Sequence, residues 1–377
     1  MKKLITTALC ALATLMALPI YANDGVYYLA GNQLVPMEET DISVTKEILT
    51  ISLGDDGMAD VDVYYEFHNA GPAKQILMGF EADAPYNAGA VLSKEGIHPY
   101  MHDFCVEMNG QRLAYSNGIY ASKINERVQP LDLKDWKPSE YTDDVLYNAE
   151  LDSTVAFSYV YKFCAAFRHG QNIVHHTYRY NMSMSVCTLF NLNYKLTPAT
   201  RWAAGNINDF TLTIKTPNTA KHFIIDMSAF GDRDFQVEKG TGKIRRVTMG
   251  QYSTYNEVSL RNGAVSWHAT HFRPQEELTI YSADMLQDTG DRPFVLGCFY
   301  DRSAGFRPEL CHFMDGEPLD ARILRNLPYA HRGYVFHDKT LRQYFSNLWW
   351  YMPDATWKAS TQDFTPLELE FIKGGKK

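Results

Sequence analysis

The sequence has a single long apolar run and lacks any other of comparable length. Residues 4–18 form this run directly behind Lys2 and Lys3, and a small residue, Ala22, follows it. This layout is typical of a cleavable secretory signal peptide. No later stretch approaches the roughly 20 apolar residues that a helix needs to cross a bilayer. We therefore expect residues 1–22 to be removed, leaving a periplasmic or extracellular chain without a transmembrane segment.

Cysteine is scarce, with six among 377 residues and five once the predicted signal peptide is removed. So low a density excludes a disulfide-rich scaffold. An odd number in an exported protein leaves at least one thiol free or paired between chains. Because Cys298 and Cys311 flank a loop containing glycine and proline, they are the first disulfide candidates, ahead of Cys164 with Cys187. Reduced, buried cysteines are the alternative.

Short catalytic motifs are also missing. The sequence contains no Gly-x-Ser-x-Gly motif, no phosphate-binding glycine loop and no Walker-type lysine. Its densest metal-capable group is His98, His102 and Asp103, followed by Cys105. These residues lack the two close pairs, or the helical spacing, that zinc sites use. We therefore predict no metal and no cofactor, and interpret the group as a solvated loop that enters a strand; a metal site built on these residues is the alternative.

Charge is distributed unevenly along the chain. Residues 23–324 carry 26 Lys and Arg against 39 Asp and Glu, whereas eight basic and five acidic residues follow from Arg325 onward. The acidic balance of the long segment argues against nucleic acid as a partner. A weakly basic end beside an acidic body is explained most simply by docking of one on the other.

Hydrophobicity with a period of two fills the first three quarters of the chain. Residues 48–53 and 59–67 alternate around a Gly-Asp-Asp-Gly turn, which predicts a hairpin with one buried face. Residues 154–167 and 173–185 are long, aromatic-rich predicted strands. About a dozen such strands, separated by turn residues, predict antiparallel β-sandwich layers, two in tandem. We place these domains at residues 23–130 and 131–287, followed by a connecting segment at residues 288–318.

The pattern becomes helical near the C-terminus. An apolar stripe at i, i+3, i+4 and i+7 predicts a helix over residues 341–348. Thr365, Pro366 and Glu368 have the spacing of a capping box and predict a second helix start. A weaker helix is predicted at residues 319–325, before Pro328. The sequence therefore predicts a mainly β protein with a small α-helical module at residues 319–377.

Residues 329–333 of this module read Tyr-Ala-His-Arg-Gly, and Tyr334, Phe336 and a Trp-Tyr-x-Pro run at residues 350–353 follow. Over residues 324–377 the chain resembles the YARHG domain, an extracellular bacterial module of undetermined function. The chain departs from the family pattern in having His331 before Arg332. The body also resembles a family of exported bacterial proteins of unknown function, through His-Thr-Tyr at residues 176–178, Tyr-Lys-Leu-Thr-Pro at 194–198, Trp202 and the strand at 209–214. Both resemblances imply an exported setting and no activity.

Aromatic side chains are concentrated in the module, and such rings stack on sugars and on partner proteins. A module this small needs most of its rings for its own core, so packing is the competing interpretation. The ligand-binding candidates are Tyr329, Arg332, Trp349, Trp350, Tyr351 and Trp357.

These observations predict an exported binding or structural protein of the cell envelope, without catalytic activity. Its partner would be an envelope glycan, peptidoglycan or another protein. The alternative is a hydrolase of envelope polymers, with Cys/His groups such as Cys311 and His312, or His/Asp groups, brought together from distant strands. That arrangement cannot be read from sequence neighbours.

Overall fold

A computed structural model describes residues 33–36, 41–54, 56–83, 96–123, 134–135, 155–182, 190–249, 253–282, 300–301, 305–306, 321–364 and 366–373. As predicted, the fold is mainly β with short helices near the C-terminus. The first strands are β1 (Gln33–Pro36), β2 (Ser43–Leu53), β3 (Met58–Asn69), β4 (Lys74–Asp83), β5 (Met101–Met108), β6 (Gln111–Arg112), β7 (Tyr115–Lys123), β8 (Lys134–Asp135) and β9 (Val155–Phe167). The others are β10 (Gly170–Asn181), β11 (Asn191–Tyr194), β12 (Ile207–Asp226), β13 (Gln236–Met249), β14 (Ser253–Phe272), β15 (Leu278–Ser282), β16 (Tyr300–Asp301) and β17 (Gly305–Phe306). The helices are α1 (Ala321–His331), α2 (Lys339–Ser346) and α3 (Pro366–Lys373).

The larger sheet has ten strands. Eight follow the order β11-β15-β12-β2-β3-β10-β5-β6, and β14 joins this sheet by pairing with both β12 and β13. The pairing of β12 with β2 is parallel. This parallel pair departs from the predicted antiparallel layers. Strands β2 and β12 are far apart in sequence, and a long connection allows either strand direction.

The smaller sheet has five strands in the order β1-β4-β9-β7-β8. It packs face to face on the larger sheet, as aromatic contacts between them show. The ring centroids of Phe80 and Tyr178 are 5.4 Å apart, and those of Phe104 and Tyr161 are 4.8 Å apart. Tyr159 and Phe163 are buried in the same core.

Strand pairs cross the predicted domain boundary at residues 130/131. Strand β2 pairs with β12, β3 with β10, and β4 with β9. Both predicted segments therefore contribute to the same sheets, and within the described residues they do not form two separate sandwiches. The prediction of two tandem sandwiches grouped the strands by their order in the sequence. In the structure, strands pair where their apolar faces are complementary.

The three helices form a small core of their own. Its buried members include Leu324, Leu327, Phe345 and Trp350. Asp338 caps α2 by accepting a hydrogen bond from the Leu341 N–H at 3.0 Å. The predicted helices at residues 341–348 and after Thr365 are confirmed within a few residues.

Helix α1 is longer than its sequence predicted. It continues through Pro328 to His331, although a proline was expected to stop it. Leu327, Pro328 and Ala330 are all buried in the module core, and this burial offsets the backbone hydrogen bond that proline cannot donate. In the described part of the chain, no helix is long and apolar enough to span a bilayer.

Candidate functional site

The Tyr-Ala-His-Arg-Gly segment forms the C-terminal end of α1. Gly333 has a φ of +82°, and its N–H donates to the carbonyl oxygen of Ala330 at 2.9 Å. The Tyr334 N–H donates to the Tyr329 carbonyl at 3.0 Å. A glycine with positive φ is the usual residue just beyond a helix end. The segment is therefore a helix terminus whose glycine is set by backbone geometry.

Arg332 is a framework residue. Its Nη1 and Nη2 donate to the two carboxylate oxygens of Glu368 at 2.6 and 2.8 Å. The same guanidinium donates to the carbonyl oxygens of Pro328 and Asp363 and lies 4.6 Å from the centre of the Phe364 ring. With its side chain only 8% exposed, Arg332 fastens α3 to the end of α1. These contacts occupy the guanidinium that was predicted to bind a ligand.

The backbone of residues 349–352 attaches the module to the larger sheet. Lys243 Nζ donates to the carbonyl oxygens of Trp349 and Tyr351 at 2.8 and 3.1 Å. Ser259 Oγ donates to Trp350 O at 3.2 Å. In addition, Arg261 Nη1 donates to Met352 O at 2.8 Å. Side chains of β13 and β14 therefore hold four consecutive carbonyl groups of the module.

A buried ion-pair group lies beside this attachment. The carboxylate of Glu257, with no exposed surface, accepts hydrogen bonds from His222 Nε2 at 3.0 Å and from Arg245 Nε at 2.6 Å. Burial alone would raise the pKa of Glu257, but the bonds from His222 and Arg245 outweigh it, so the pKa is lowered. The Arg245 guanidinium lies 4.5 Å from the centre of the Trp349 ring. Docking thus places a cation over an aromatic residue of the module.

The remaining ligand-binding candidates of the module are also in contact with protein. Trp350 is 3% exposed and its ring stacks on His331, with centroids 4.5 Å apart. The Tyr351 hydroxyl donates to the Tyr334 carbonyl at 2.5 Å. Tyr329 and Trp357 are half-buried, with ring centroids 4.9 and 6.3 Å from that of Phe364. The packing interpretation describes these contacts better than an open ligand surface does.

The residues predicted for the alternative metal site are not grouped around a common point. His98 is buried, and its Nδ1 accepts a hydrogen bond from the Tyr100 N–H at 3.1 Å. His102 is exposed and bonds Asn181 Oδ1 at 2.7 Å, and Asp103 is exposed with a φ of +55°. Across the described ranges no group of three or more His, Cys, Asp or Glu side chains could hold a metal ion.

The cysteine predictions are largely outside the described residues. Cys298 and Cys311 both lie there, as do Cys187 and His312. Cys105 and Cys164 are free thiols. The pairing of Cys298 with Cys311 therefore stays a prediction, whereas the free thiol of Cys164 contradicts the second candidate pair.

Sequence reasoning missed a buried carboxyl on β2. Val44 pairs with Phe67 and Lys46 with Glu66, so Thr45 is an extra residue that bulges from the ladder. Beyond this bulge Glu47 faces the interior and is 3% exposed. One signal was available, because Glu47 shares the odd-numbered face of Leu49, Ile51 and Leu53, which the alternation placed in the core.

Two phenols meet this carboxyl. The Tyr194 hydroxyl donates to Glu47 Oε1 at 3.5 Å and is 3.2 Å from the Tyr65 hydroxyl. Burial raises the pKa of Glu47 to about 8, although hydrogen bonds from Tyr65 and Tyr194 act in the opposite direction. Glu47 is therefore mostly protonated at neutral pH and titrates in a mildly alkaline range.

The carboxyl lies in a pocket at the end of the larger sheet, covered by a short 3-10 turn at Thr197–Arg201. The empty space is about 270 Å³, including the part open to solvent. Trp202 is fixed in the wall because its ring lies 4.6 Å from that of Phe67. The lining residues are Val44, Glu47, Tyr65, Lys195, Leu196, Pro198, Ala199 and Trp202.

Residues 309–376 match the YARHG domain family. The C-terminal segment is a YARHG domain. The match begins before α1 and includes the docked carbonyl groups, so the contacts with the sheet are made by the YARHG domain itself. No curated protein sequence matches this chain at a significant level.

The fold as a whole has a counterpart among solved structures. The crystal structure of a "putative nutrient binding protein" from Legionella pneumophila subsp. pneumophila superposes with a TM-score of 0.51 at 17% identity, over 94% of this chain and 100% of that one. At this identity the similarity shows the fold alone. An M1 zinc metallopeptidase from Deinococcus radiodurans gives 0.26 at 9% identity, over 64% of this chain and 42% of that one. Yeast LTA4 hydrolase superposes with a TM-score of 0.23 at 11% identity, over 61% of this chain and 29% of that one. Neither of these two supports an inference.

Proposed function

We propose that this protein is an exported binding protein of the bacterial cell envelope, without catalytic activity. Residues 1–22 would direct export, the β-sandwich would carry the ligand pocket, and the YARHG domain would pack against the sheet. The observation that carries this proposal is the pocket over Glu47, which is lined by this buried carboxyl, the Tyr65 phenol and Trp202, with the Tyr194 hydroxyl bonded to the carboxyl. A concave site with a few convergent polar groups is typical of ligand binding.

Two further points support a binding role located in the body. The Legionella protein of similar fold is described as nutrient binding, which fits a pocket for a small solute. The aromatic residues of the YARHG domain are used for its core and for docking, as Arg332 is for its internal ion pair. A structural role for the YARHG domain is therefore favoured over direct glycan or peptidoglycan binding by those residues.

The hydrolase alternative predicted His/Asp groups from distant strands. The described residues include two such pairs, His175 with Asp62 and His268 with Asp209, whose side chains are 36–54% exposed on the sheet. A general base must lie within hydrogen-bonding distance of the group it activates. Among the described residues, the alternative's His102 bonds Asn181, an amide that supplies neither a nucleophile nor a carboxylate. We therefore argue the binding function alone.

The experiment is a thermal denaturation screen of the chain spanning residues 23–377. Amino acids, sugars, polyols, amines and soluble peptidoglycan fragments would each be added, and retention on purified sacculi would be measured in parallel. A ligand present at 100 times its Kd stabilises a folded protein by about 2.7 kcal/mol, which gives a shift in Tm of several degrees. Absence of both stabilisation and retention would contradict the binding proposal. Release of soluble fragments from sacculi would contradict the non-catalytic part.

A further inference from the structure

We infer that the pocket over Glu47 binds a protonated primary amine, with the ammonium group held by the Glu47 carboxylate and by the phenol oxygen of Tyr65. This inference rests on the proposed function and names the ligand class of the same site. The amine's carbon chain would point outward, toward solvent.

The size of the pocket favours an ammonium group. Its enclosed end has room for a group about the size of one water molecule, and the rest of the space opens to solvent. An –NH3⁺ group fits such a space, whereas a sugar ring does not. Leu196, Pro198 and Ala199 also line the pocket.

The number of hydrogen-bonding groups also matches. An ammonium group has three N–H donors and no acceptor. The carboxylate of Glu47 supplies two acceptor oxygens, and the phenol of Tyr65, which also lines the pocket, supplies a third. Within the described part of the chain, the hydrogen bonds to Glu47 come from phenols and not from a cationic side chain. A buried carboxylate needs a counter-charge, and a bound ammonium supplies one.

The surroundings hold these groups in place before a ligand arrives. The Thr45 bulge turns Glu47 inward, and bulges commonly aim side chains next to sites. Tyr65 and Trp202 are buried in the pocket wall, where their rings add a cation–π attraction for an ammonium group. This preorganisation reduces the ordering cost of binding.

Binding requires that the proton on Glu47 leave. When an ammonium ion binds, the carboxylic acid O–H bond breaks, the carboxylate pairs with the ammonium, and one proton passes to solvent. The other titratable groups nearby keep their protonation states. Burial raises the pKa of the Tyr65, Tyr178 and Tyr194 phenols well above its ordinary value, so they stay neutral.

Two basic side chains are also close to the site. Burial lowers the pKa of His176 to about 3, and its ring centroid is 5.6 Å from that of Tyr65, so this imidazole stays neutral above that pH. Lys195 also lines the pocket and has interactions of its own. Glu47 is therefore the group that titrates on binding. The affinity for an amine should rise about tenfold per pH unit below pH 8 and level off above it.

The test is isothermal titration calorimetry of the full chain with ethylamine hydrochloride at pH 6, 7, 8 and 9. Each titration is run in two buffers of different ionisation enthalpy, so that released protons are counted. We expect close to one proton released at pH 6 and 7, almost none at pH 9, and affinity about 50-fold higher at pH 8 than at pH 6. Ethanol and acetate, the neutral and anionic comparators, should produce no binding heat.

Variants identify the group responsible. E47Q should weaken ethylamine binding at pH 8 by at least about tenfold and abolish its pH dependence, because the charge-assisted hydrogen bond is lost. E238Q makes the same chemical change at an exposed position of β13 and should bind as the original protein does. If E47Q does not fold, Y65F keeps the ring and removes one acceptor, and should weaken binding about threefold to tenfold.

Failure of this inference differs from failure of the proposed function. Ethylamine binding that is independent of pH, or equal in E47Q and the original protein, would overturn the amine assignment. So would stabilisation of the protein by a sugar or an amino acid with no response to ethylamine, and in that case the binding function would still stand. If no solute and no envelope polymer binds, both are wrong.

Discussion

Gly333 of the YARHG domain lies directly against the guanidinium of Arg261, which projects from β14. A Cβ atom at Gly333 would overlap Nη1 of Arg261 and would lie 2.5 Å from the carbonyl oxygen of Met352. The same Nη1 donates to that carbonyl. The last residue of the Tyr-Ala-His-Arg-Gly segment is therefore a contact point between the helical domain and the sheet, as well as a helix end.

Replacing Gly333 by alanine should destabilise the protein. The positive φ alone costs an alanine about 1–2 kcal/mol. Contact of the new methyl group with Met352 O and Arg261 should add at least about 1 kcal/mol, because the backbone carbonyl cannot move freely. Urea unfolding measures the total.

Gly110 provides the matched control for this prediction. Its φ is +79° and a Cβ there would meet nothing within 4 Å. G110A should therefore lose only the conformational part. Equal destabilisation of G333A and G110A would mean that the contact with Arg261 contributes nothing.

Changing Arg332 to lysine should loosen α3. Lysine keeps the charge but cannot make the two parallel hydrogen bonds to Glu368, so we expect a loss of about 2 kcal/mol. Hydrogen exchange of α3 amides should accelerate in R332K. The control is R322K, since Arg322 makes an exposed ion pair with Asp338 whose loss should cost under about 1 kcal/mol. Unchanged exchange in R332K would contradict the framework role.

Glu257 should contribute to stability in a pH-dependent manner. Its pKa is lowered in the folded state, so its contribution is complete above the ordinary value of 4.5 and is lost as the pH falls through the folded pKa. E257Q leaves His222 and Arg245 without a carboxylate, and should cost about 3 kcal/mol at pH 7. The difference from the original protein, measured by urea unfolding, should shrink as the pH falls below 4.5. E238Q should show no such difference, and a constant gap for E257Q would contradict the assignment.

His176 should make the protein less stable in acid. Its ring nitrogens have no hydrogen-bond partner among the described residues, and burial lowers its pKa to about 3 from 6.5. The unfolded chain therefore binds the proton first, and stability rises with pH between about 3 and 6.5. H176F removes this dependence. Between pH 7 and pH 4.5 its free energy of unfolding should fall by about 2–3 kcal/mol less than that of the original protein. H68Q, at an exposed position, should keep the original pH profile, and an unchanged profile in H176F would refute the prediction.

Much of the fold could be predicted from residue spacing. The hairpin of β2 and β3 and the amphipathic α2 follow from apolar periods of 2 and 3.6, which are local properties. The continuation of α1 through Pro328 was missed because the prediction considered the low helix propensity of proline and not the packing of α1 in the module core. The separation into two sandwiches was wrong because sequence order does not reveal that β12 pairs with β2 and β9 with β4.

The candidate site was less predictable. Tyr351 and Trp350 were named as ligand-binding candidates, with core packing as the alternative. Whether a ring faces a ligand or a core depends on neighbours that are distant in sequence. Glu47 lies next to Tyr194 although 147 positions separate them. The bulge at Thr45 cannot be recognised from the amino-acid composition. Only the alternation of apolar residues along β2 suggested that the Glu47 carboxyl points inward.

By itself the sequence determined the class of this protein, because a signal-like N-terminus, period-two strands and a helical end depend on residues close together in the chain. It also determined the YARHG domain, through residues 329–333 and the aromatic run that follows. The tertiary structure decided which rings are buried and which carbonyl groups Lys243 and Arg261 hold. It also decided that Glu47 and Tyr65 line one pocket and that the Tyr194 hydroxyl bonds to Glu47. Those relationships arise only when strands remote in sequence pair and pack, because hydrogen bonding and burial act between neighbours in space.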